Sequence, residues 1–246
     1  MTARNAAGSV SSGPAHPHLE SNAMALIAFD IYGTVVDPAR VVSALAKKFG
    51  GRASEAAQLW REKQLEFTFR RGLMRKYVDF HVCTAQALKH VSAQLGVSLG
   101  TADERALLES WLHLPAFADV SAALETLRGA GYELVALTNG TERSVRVLLQ
   151  NAGIVGYFAA ILSADRVGTF KPDPAVYALL KEGLEQGNVL LVSANPFDVI
   201  GAMACGVTAV WLRRDPQKAF DPWEFSPDIV VRTLDELLGE LERLGR

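Results

Sequence analysis

Short apolar stretches recur along the chain and alternate with segments whose apolar residues follow helical spacing. The first, residues 25–30 (ALIAFD), has the length and composition of a strand that is buried on both faces. Five later stretches have the same character: 132–139, 159–164, 188–195, 208–213 and 228–231. Segments between them, such as 119–131 and 141–153, have a helical pattern and end in glycine. This alternation predicts an α/β fold with a doubly wound, mostly parallel sheet and a Rossmann-like core.

The interval from about residue 38 to residue 118 breaks this alternation. It contains no convincing strand, and three of its segments have helical patterns: 41–50, 53–74 and 77–96. We therefore predict a catalytic core of residues 24–37 and 118–246, and a helical cap of residues 38–117 inserted after the first strand. Ligands of open α/β sheets bind beyond the carboxyl ends of the strands, so this cap is expected to cover the site.

Composition and charge narrow the class of protein. The 246 residues are 49% hydrophobic and 21% charged, which is enough apolar material for a large globular core. The 25 basic and 27 acidic residues form no long run of one sign, so we expect a small-molecule partner, with no nucleic acid and no membrane surface. Cys83 and Cys205 lie far apart and match no disulfide or metal motif, which favours a reducing cytoplasm.

Residues 1–23 differ in composition from the rest of the chain. They are rich in Ala, Ser, Gly and Pro and lack the apolar run of a secretory signal, so we predict a disordered leader or an expression tag, with Met24 as the natural start. No stretch of the sequence approaches the roughly 20 apolar residues that a membrane span requires.

Polar side chains follow the carboxyl ends of four predicted strands. They are Asp30 after the first strand, Thr138 and Asn139 after the second, Lys171 in the loop after the third, and Ser193, Asn195 and Asp198 after the fourth. Any one of them alone is explained as a turn former or a helix N-cap. Asp30, Lys171 and Asp198 together are better explained as one site, because parallel strands bring their carboxyl ends to one edge of a sheet.

Four motifs in a fixed order resemble a known family. The segments FDIYGT (29–34), LTNG (137–140) and KPDP (171–174), followed by an acid after a strand, resemble the haloacid dehalogenase superfamily, whose members use the first Asp as a covalent nucleophile. Most members of that superfamily are magnesium-dependent phosphatases or phosphotransferases. The resemblance implies the superfamily's fold and makes Asp30 the nucleophile.

Two positions distinguish the branches of that superfamily. Phosphatases carry a second Asp two positions after the nucleophile and an additional acid in the fourth motif, where this chain has Tyr32 and Ser193. Magnesium prefers several oxygen ligands, so both replacements argue against a magnesium site. The cap segment LWREKQLEFTFRRGLMRKYVDF (59–80), together with KPDPAVY and SANPFD, resembles the L-2-haloacid dehalogenases. That resemblance implies an enzyme without a cofactor that acts on a small 2-haloacid and releases halide.

The reaction implied by this resemblance has two steps. Short (S)-2-haloalkanoic acids are hydrolysed to (R)-2-hydroxy acids and halide through an ester on Asp30, with inversion and without a metal. A dry pocket makes a carboxylate a stronger nucleophile than it is in water. We expect Thr34 to orient Asp30 through a hydroxyl hydrogen bond. Lys171 is expected to offset the negative charges of Asp30 and of the substrate.

Anion-binding roles follow from the same resemblance. Arg61 of the cap, Asn139 and the edge of Phe197 are expected around the departing halide. The substrate carboxylate is expected at Thr138 and at the backbone N–H groups of the turn that begins with Ile31, since such turns form anion nests.

A second group of residues is expected to serve the hydrolysis of the ester. Asp198 is expected to position or activate water, with Ser193 and Asn195 fixing it by hydrogen bonds. The motif KPDP is predicted to begin a helix, with Asp as the N-cap and Pro as the first residue, which places Tyr177 in the first turn of that helix. The resemblance implies that Tyr177 faces the site.

Apolar side chains are expected around the alkyl group of the substrate, where they exclude water. The resemblance assigns this position to Tyr32, Leu65, Phe80 and Phe197. Glu62 is an acid beside the proposed halide site in the sequence, and it would weaken halide binding if it pointed inward.

Three other functions stay open at this point. A related hydrolase that uses the same Asp30 ester chemistry on another leaving group, such as azetidine-2-carboxylate, is compatible with the motifs. A magnesium-dependent phosphatase is disfavoured by Tyr32 and Ser193. A catalytically silent binding protein of this fold is disfavoured because every proposed catalytic position is filled. The family resemblance also implies a homodimer formed partly through the cap.

Overall fold

The computed structural model describes residues 26–182 and 189–245, so the predicted leader at residues 1–23 lies outside it, as do positions 25 and 188 of two predicted strands. The strands of the described residues are β1 (Leu26–Phe29), β2 (Glu133–Thr138), β3 (Ala160–Ser163), β4 (Val189–Ser193), β5 (Thr208–Leu212) and β6 (Ile229–Val231). They form one sheet in the order β3-β2-β1-β4-β5-β6, and each neighbouring pair is parallel. The predicted fold class is confirmed.

The α-helices of the same residues fall before, between and after these strands. They are α1 (Val41–Phe49), α2 (Ala53–Leu73), α3 (Phe80–Gln94), α4 (Thr101–Ser110), α5 (Val120–Gly129), α6 (Glu142–Asn151), α7 (Pro174–Ala178), α8 (Pro196–Ala204) and α9 (Leu237–Arg243). Four of them, α1 to α4, follow one another between β1 and α5 without an intervening strand. The glycines predicted to close α5 and α6, Gly131 and Gly153, have φ of +92° and +74°.

The central strand β1 shows why its sequence is apolar throughout. Successive side chains of a strand point to opposite faces of the sheet. Ile27 and Phe29 join one hydrophobic cluster, and Leu26 and Ala28 join the other, so all four are buried. Because the order of the sheet reverses between β1 and β4, the carboxyl end of β1 lies at the crevice where such sheets bind ligands.

Helix α2 presents one buried stripe to its neighbours. Its buried residues recur at helical spacing: Ala53, Ala56, Ala57, Trp60, Gln64 and Thr68. The Trp60 indole N–H donates to the Thr84 carbonyl of α3 at 2.9 Å, which fixes α2 against α3. Gln64 is fully buried although it is polar, so it requires hydrogen-bond partners inside the protein. None of the described helices is long and apolar enough to cross a membrane.

Candidate active site

Asp30 lies directly after β1 and is held through both of its carboxylate oxygens. Lys171 Nζ donates to Oδ1 at 3.1 Å. On Oδ2, Thr34 Oγ1 and Asn195 Nδ2 each donate at 2.8 Å, and Ser193 Oγ donates at 3.4 Å. Asp30 is only 7% exposed, so these donors stand where water would otherwise solvate the charge. The carboxylate is thereby fixed in one orientation at the edge of the sheet.

Lys171 lies between two carboxylates. Its Nζ is 3.1 Å from Asp30 Oδ1 and 2.8 Å from Asp198 Oδ2, and the side chain is 1% exposed. The Tyr177 hydroxyl donates to the other Asp198 oxygen, Oδ1, at 2.8 Å. Burial lowers the pKa of Lys171, but the charges of Asp198 and Asp30 outweigh burial, and the pKa is raised above its ordinary value. Lys171 therefore keeps its positive charge at neutral pH.

The loop that carries Lys171 is fixed by a hydrogen bond to the end of β2 and by the N-cap of α7. The Lys171 backbone N–H donates to Asn139 Oδ1 at 2.8 Å, which ties this loop to the end of β2. Asp173 is the N-cap of α7, where it accepts from a backbone N–H at 2.9 Å, and Pro174 is the first helical residue, as the sequence predicts. Tyr177 consequently lies in the first turn of α7, and burial raises the pKa of its hydroxyl, which stays a donor.

The turn after Asp30 is anchored by Arg214, which sequence reasoning missed. Arg214 donates to the Thr34 carbonyl at 2.7 Å and 3.0 Å and pairs with Asp119 at 3.0 Å. The Ala194 backbone N–H donates to Thr34 Oγ1 at 2.9 Å, so the proton of that hydroxyl is directed to Asp30. The signal that could have found Arg214 is its position just after β5, at the same edge of the sheet as Asp30.

The cap contributes Arg61 from α2. Its Nη1 donates to Gln64 Oε1 at 2.7 Å, and its Nη2 donates to the Tyr32 carbonyl at 3.3 Å. Gln64 in turn donates to Thr84 Oγ1 at 2.7 Å, so a buried chain of hydrogen bonds positions the guanidinium. Burial lowers the pKa of Arg61, and the charge of Asp30 opposes this shift. Sequence reasoning missed Gln64, which its place three residues after Arg61 on one helix could have indicated.

Glu62, the neighbour of Arg61, does not point into the site. It is exposed and accepts a hydrogen bond from Gln58 Nε2 at 2.9 Å on the outer side of α2. The sequence-based concern that this acid opposes halide binding therefore does not apply to the described geometry.

A small cavity lies at Asp30, with a volume of about 10 Å³. Its lining consists of Asp30, Tyr32, Arg61, Leu65, Phe80, Asn139, Lys171 and Phe197. Tyr32 packs against Phe80 at 5.3 Å between ring centroids and against Trp111 at 5.9 Å. Burial raises the pKa of Tyr32, so the ring is a neutral wall where a phosphatase would have an acid. The four residues expected as apolar walls all line this cavity.

Other expected site residues lie behind this lining. The Thr138 side chain is fully buried, and its Oγ1 accepts from the Gly140 backbone N–H at 3.1 Å. Ile31 is also fully buried, and its carbonyl accepts the backbone hydrogen bonds that close the turn. Neither residue is part of the cavity lining, and Tyr177 is not part of it either.

Ser193, Asn195 and Asp198, which are expected to hold a water molecule, have different hydrogen-bond partners in the structure. The side chains of Ser193 and Asn195 bind Asp30 Oδ2 and make no hydrogen bond to the Asp198 carboxylate, although the Asn195 carbonyl accepts from the Asp198 backbone N–H at 3.0 Å. Asp198 is completely buried, and its two oxygens accept hydrogen bonds from Lys171 and Tyr177. The Asp198 carboxylate is enclosed by these two partners and is not part of the cavity lining, so its expected role of positioning or activating water stays a prediction.

The donor set of the site suits anions better than a metal ion. Across residues 26–182 and 189–245, no group of three or more His, Cys, Asp or Glu side chains is placed to hold a metal. Asp30 and Asp198 are bridged by the Lys171 ammonium, which occupies the space between the two carboxylates. A cationic Lys171 and a cationic Arg61 flank the cavity instead.

The two oxygens of Asp30 are chemically different. Oδ2 accepts from three donors, whereas Oδ1 accepts from Lys171. A carboxylate held in this way can attack an electrophilic carbon through Oδ1. Negative charge that later develops on Oδ2 already faces Thr34, Ser193 and Asn195, which is the arrangement of an oxyanion hole.

The fold, the buried Asp30 after β1 and the Lys171 bridge define a class of hydrolase. The chain belongs to the haloacid dehalogenase-like hydrolases, whose family model matches residues 24–206. The superfamily that the sequence motifs indicated is confirmed.

Particular relatives refine this assignment. The chain is 37% identical over 210 residues to an (S)-2-haloacid dehalogenase of Pseudomonas sp. (strain YL), which covers 85% of this chain and 90% of the relative. It is 36% identical over 214 residues to haloacetate dehalogenase H-2 of Moraxella sp. (strain B), covering 86% and 95% of the two chains. The L-2-haloacid dehalogenase of Xanthobacter autotrophicus, solved with chloropropionic acid covalently bound, has a TM-score of 0.83 and 30% identity, covering 89% and 98%.

Proposed function

We propose that this chain is a 2-haloacid dehalogenase that hydrolyses short (S)-2-haloalkanoic acids to (R)-2-hydroxy acids and halide, with inversion at C2 and without a metal. The observation that carries the proposal is a buried carboxylate, Asp30, that faces a small cavity between two cations, Lys171 and Arg61. The substrate carries a carboxylate and releases a halide, so two positively charged regions match its charges. The haloacetate and (S)-2-haloacid dehalogenases among its relatives agree with this substrate class.

In the first step, Asp30 Oδ1 attacks C2 of the substrate on the side opposite the halogen. The new bond is a C2–O ester bond, and the electron pair of the broken carbon–halogen bond leaves with the halide. Arg61 and the amide of Asn139 would receive that halide, since both line the cavity and the Asn139 oxygen is already bound to the Lys171 backbone. The turn beginning with Ile31, with Thr138 behind it, is the proposed site of the substrate carboxylate.

In the second step, water attacks the side-chain carbonyl carbon of Asp30. Charge develops on Oδ2, where Thr34, Asn195 and Ser193 donate. Collapse breaks the bond between that carbon and the ester oxygen, which stays with the product as its hydroxyl. The water oxygen remains in the Asp30 carboxylate, and one proton is released overall.

Asp198 receives a different proposed role from the one the sequence suggested. Because Lys171 and Tyr177 enclose its oxygens, we propose that it holds Lys171 against Asp30 and has no direct contact with the attacking water. Tyr177 would act in the same way, as a positioning residue one contact further from Asp30.

Halide release tests the proposed function directly. Purified protein is incubated in chelator with each enantiomer of 2-chloropropionate, and separately with an aryl phosphate and magnesium and with azetidine-2-carboxylate. We expect chloride from the (S) enantiomer alone. Asp30→Asn should abolish release, whereas Asp221→Asn, at an exposed acid, should not. Phosphate release that requires magnesium, or turnover of azetidine-2-carboxylate without chloride release, would contradict the proposal.

Isotope labelling tests the ester. In a single turnover in ¹⁸O-water, the label should enter the Asp30 side chain, as measured by mass spectrometry of the peptide that contains it. Label found in the 2-hydroxy acid product and absent from Asp30 would mean that water attacks C2 directly.

Assembly, domains and location complete the proposal. We infer a core of residues 24–37 and 118–246, a cap of residues 38–117, a homodimer formed partly through the cap, and a cytoplasmic location. The relatives span nearly the same length, and the family resemblance supports these inferences. Sedimentation velocity of the purified protein should give the mass of two chains, and a monomer at micromolar concentration would contradict the dimer.

A further inference from the structure

Two cavities adjoin at one aromatic side chain. The inner cavity, at Asp30, measures about 10 Å³, and an outer one of about 640 Å³ lies between α2 and the loop before α7. We call the outer cavity the vestibule. Its lining includes Phe69, Gly72, Leu73, Thr169, Phe197 and Trp223. Phe197 and Lys171 line both cavities.

The inner cavity is smaller than any 2-haloacid. A volume of about 10 Å³ is near the minimum that one water molecule needs. A wall must therefore move before substrate can enter. Lys171 is fixed between Asp30 and Asp198, whereas Phe197 is half-buried and contacts Phe69 edge-on, with 5.2 Å between ring centroids. Phe197 is the shared wall that can turn aside.

The vestibule has the character of a binding site for an apolar chain. Leu73 is 88% exposed and Trp223 is 64% exposed, although both are large apolar side chains. Exposed apolar groups that cluster around a concave surface mark binding sites. The volume of about 640 Å³ lies within the range of small-molecule pockets. A three-carbon substrate whose reacting carbon is at Asp30 does not extend into the vestibule.

We propose that the vestibule binds the alkyl chain of longer 2-haloalkanoic acids, with the Phe197 ring turned out of the shared wall to join the two cavities. This inference rests on the proposed function. With the halide at Arg61 and Asn139 and the carboxylate at the turn that begins with Ile31, the third substituent of C2 is directed to the apolar wall that Phe197 completes. Each methylene group that enters the vestibule leaves water for an apolar surface, which favours longer chains.

Gly72 offers a way to fill the vestibule without disturbing the inner cavity. A Cβ atom at this position would meet Thr169 Oγ1 at 3.5 Å, an ordinary contact, so a larger side chain projects into the vestibule. We would compare kcat/KM for (S)-2-bromooctanoate and (S)-2-bromopropionate. In Gly72→Leu, the octanoate-to-propionate ratio should fall by about tenfold or more, equivalent to keeping roughly two methylene groups out of the pocket.

Two further variants separate filling from other effects. Gly72→Ala raises helix propensity, as Gly72→Leu does, but adds far less volume. It should therefore lower the octanoate-to-propionate ratio of kcat/KM by less than Gly72→Leu does. Gly129→Leu adds the same side chain at the end of α5, where a Cβ meets nothing within 4 Å, and should leave the ratio as in the wild type.

The outcomes distinguish this inference from the proposed function. No bromide from either substrate overturns the proposed function itself. Bromide from the propionate with none from the octanoate, or equal ratios in Gly72→Leu and Gly129→Leu, overturns the vestibule alone. A change of sedimentation in Gly72→Leu with an unchanged ratio would make the vestibule a contact between copies and would also overturn it.

Discussion

The two sides of the cavity are built in different ways. On the core side, Asp30 accepts from four donors and Lys171 is enclosed by two carboxylates. On the cap side, Arg61 is held by Gln64 and by a longer contact to the Tyr32 carbonyl, and its neighbours in the lining are apolar. The core side is therefore fixed before a ligand arrives. The cap side is held by fewer contacts and is better suited to adapt to the substrate.

This difference follows from the elements that carry the residues. Parallel strands at fixed spacing deliver Asp30, Ser193 and the loop of Lys171 to one edge, where their hydrogen bonds cross between segments. The cap residues that line the cavity, Arg61, Leu65 and Phe80, come from the helices α2 and α3. The proposed nucleophile and its donors therefore lie on the more extensively hydrogen-bonded side of the cavity.

Removing the central charge of the core side should have the largest effect. In Lys171→Met, Asp30 and Asp198 lose the cation between them, so the free energy of unfolding should fall by about 3–5 kcal/mol. Turnover should fall at least about a hundredfold, as for loss of one transition-state donor. Urea unfolding and halide release measure both effects. Lys89→Met, on the exposed face of α3, is the control and should change neither.

The unfolding free energies of Lys171→Met and Lys89→Met could also contradict this prediction. A Lys171→Met protein with the stability of the Lys89→Met protein would show that the two carboxylates do not depend on the lysine, and that the core side is not the rigid half of the site.

Arg61→Lys tests the cap side, with a smaller expected effect. Lysine keeps the charge but not the two-pronged geometry that contacts Gln64 and the Tyr32 carbonyl. We expect kcat to fall by about ten- to a hundredfold, with a change in unfolding free energy below about 1 kcal/mol. Arg70→Lys, at an exposed position of the same helix, is the matched control. Loss of stability comparable to that of Lys171→Met would contradict the contrast between the two sides.

Gln64→Leu should affect the cap side more weakly still, because it acts through Arg61. Leucine keeps the volume, and Thr84 Oγ1 retains its bond to the Phe80 carbonyl, so folding should be little changed. We expect kcat/KM to fall by about tenfold. Inhibition by added chloride or bromide should weaken in parallel, which a purely structural residue would not cause. Gln58→Leu on the outer face of α2 should be silent in both assays.

The smallest expected effect is that of pH on the difference in unfolding free energy between the wild type and Lys171→Met. The folded pKa of Lys171 is raised above the unfolded value of about 10.4, so its contribution to stability is complete below that pH and is lost as pH rises through the folded pKa. The stability difference between wild type and Lys171→Met should therefore not narrow between about pH 8 and about pH 10. Narrowing within that window, measured by urea unfolding, would mean that Lys171 loses its proton earlier.

Sequence reasoning was most successful where local pattern is sufficient. The strands, the helical interval and the N-cap at Asp173 follow from residue periodicity and turn chemistry, and the structure has them. All residues that line the inner cavity are candidates in the sequence analysis, but most of their hydrogen-bond partners are not predicted there. Gln64 and Arg214 were missed because their positions, three residues after Arg61 and just after β5, indicate only that they could reach the site, and the hydrogen bonds that bury them are made to distant segments.

The contacts between distant segments could not be predicted in the same way. The sequence predicts side-chain hydrogen bonds of Ser193 and Asn195 in support of Asp198 and its water, whereas in the structure both side chains bind Asp30, more than 160 positions away in the chain. Asn195 would by local rules cap α8 with its side chain, and in the structure it makes no such cap. The choice between these partners depends on where β1 and β4 lie relative to each other.

The sequence by itself determined the fold class, the place of Asp30 after the first strand, and the absence of a second acid at Tyr32, because these are properties of period and position along one chain. Tertiary structure alone decided which donor meets which oxygen, that Asp198 lies behind Lys171, and that Phe197 separates two cavities. Those features depend on distances between segments that packing, and not local propensity, brings together.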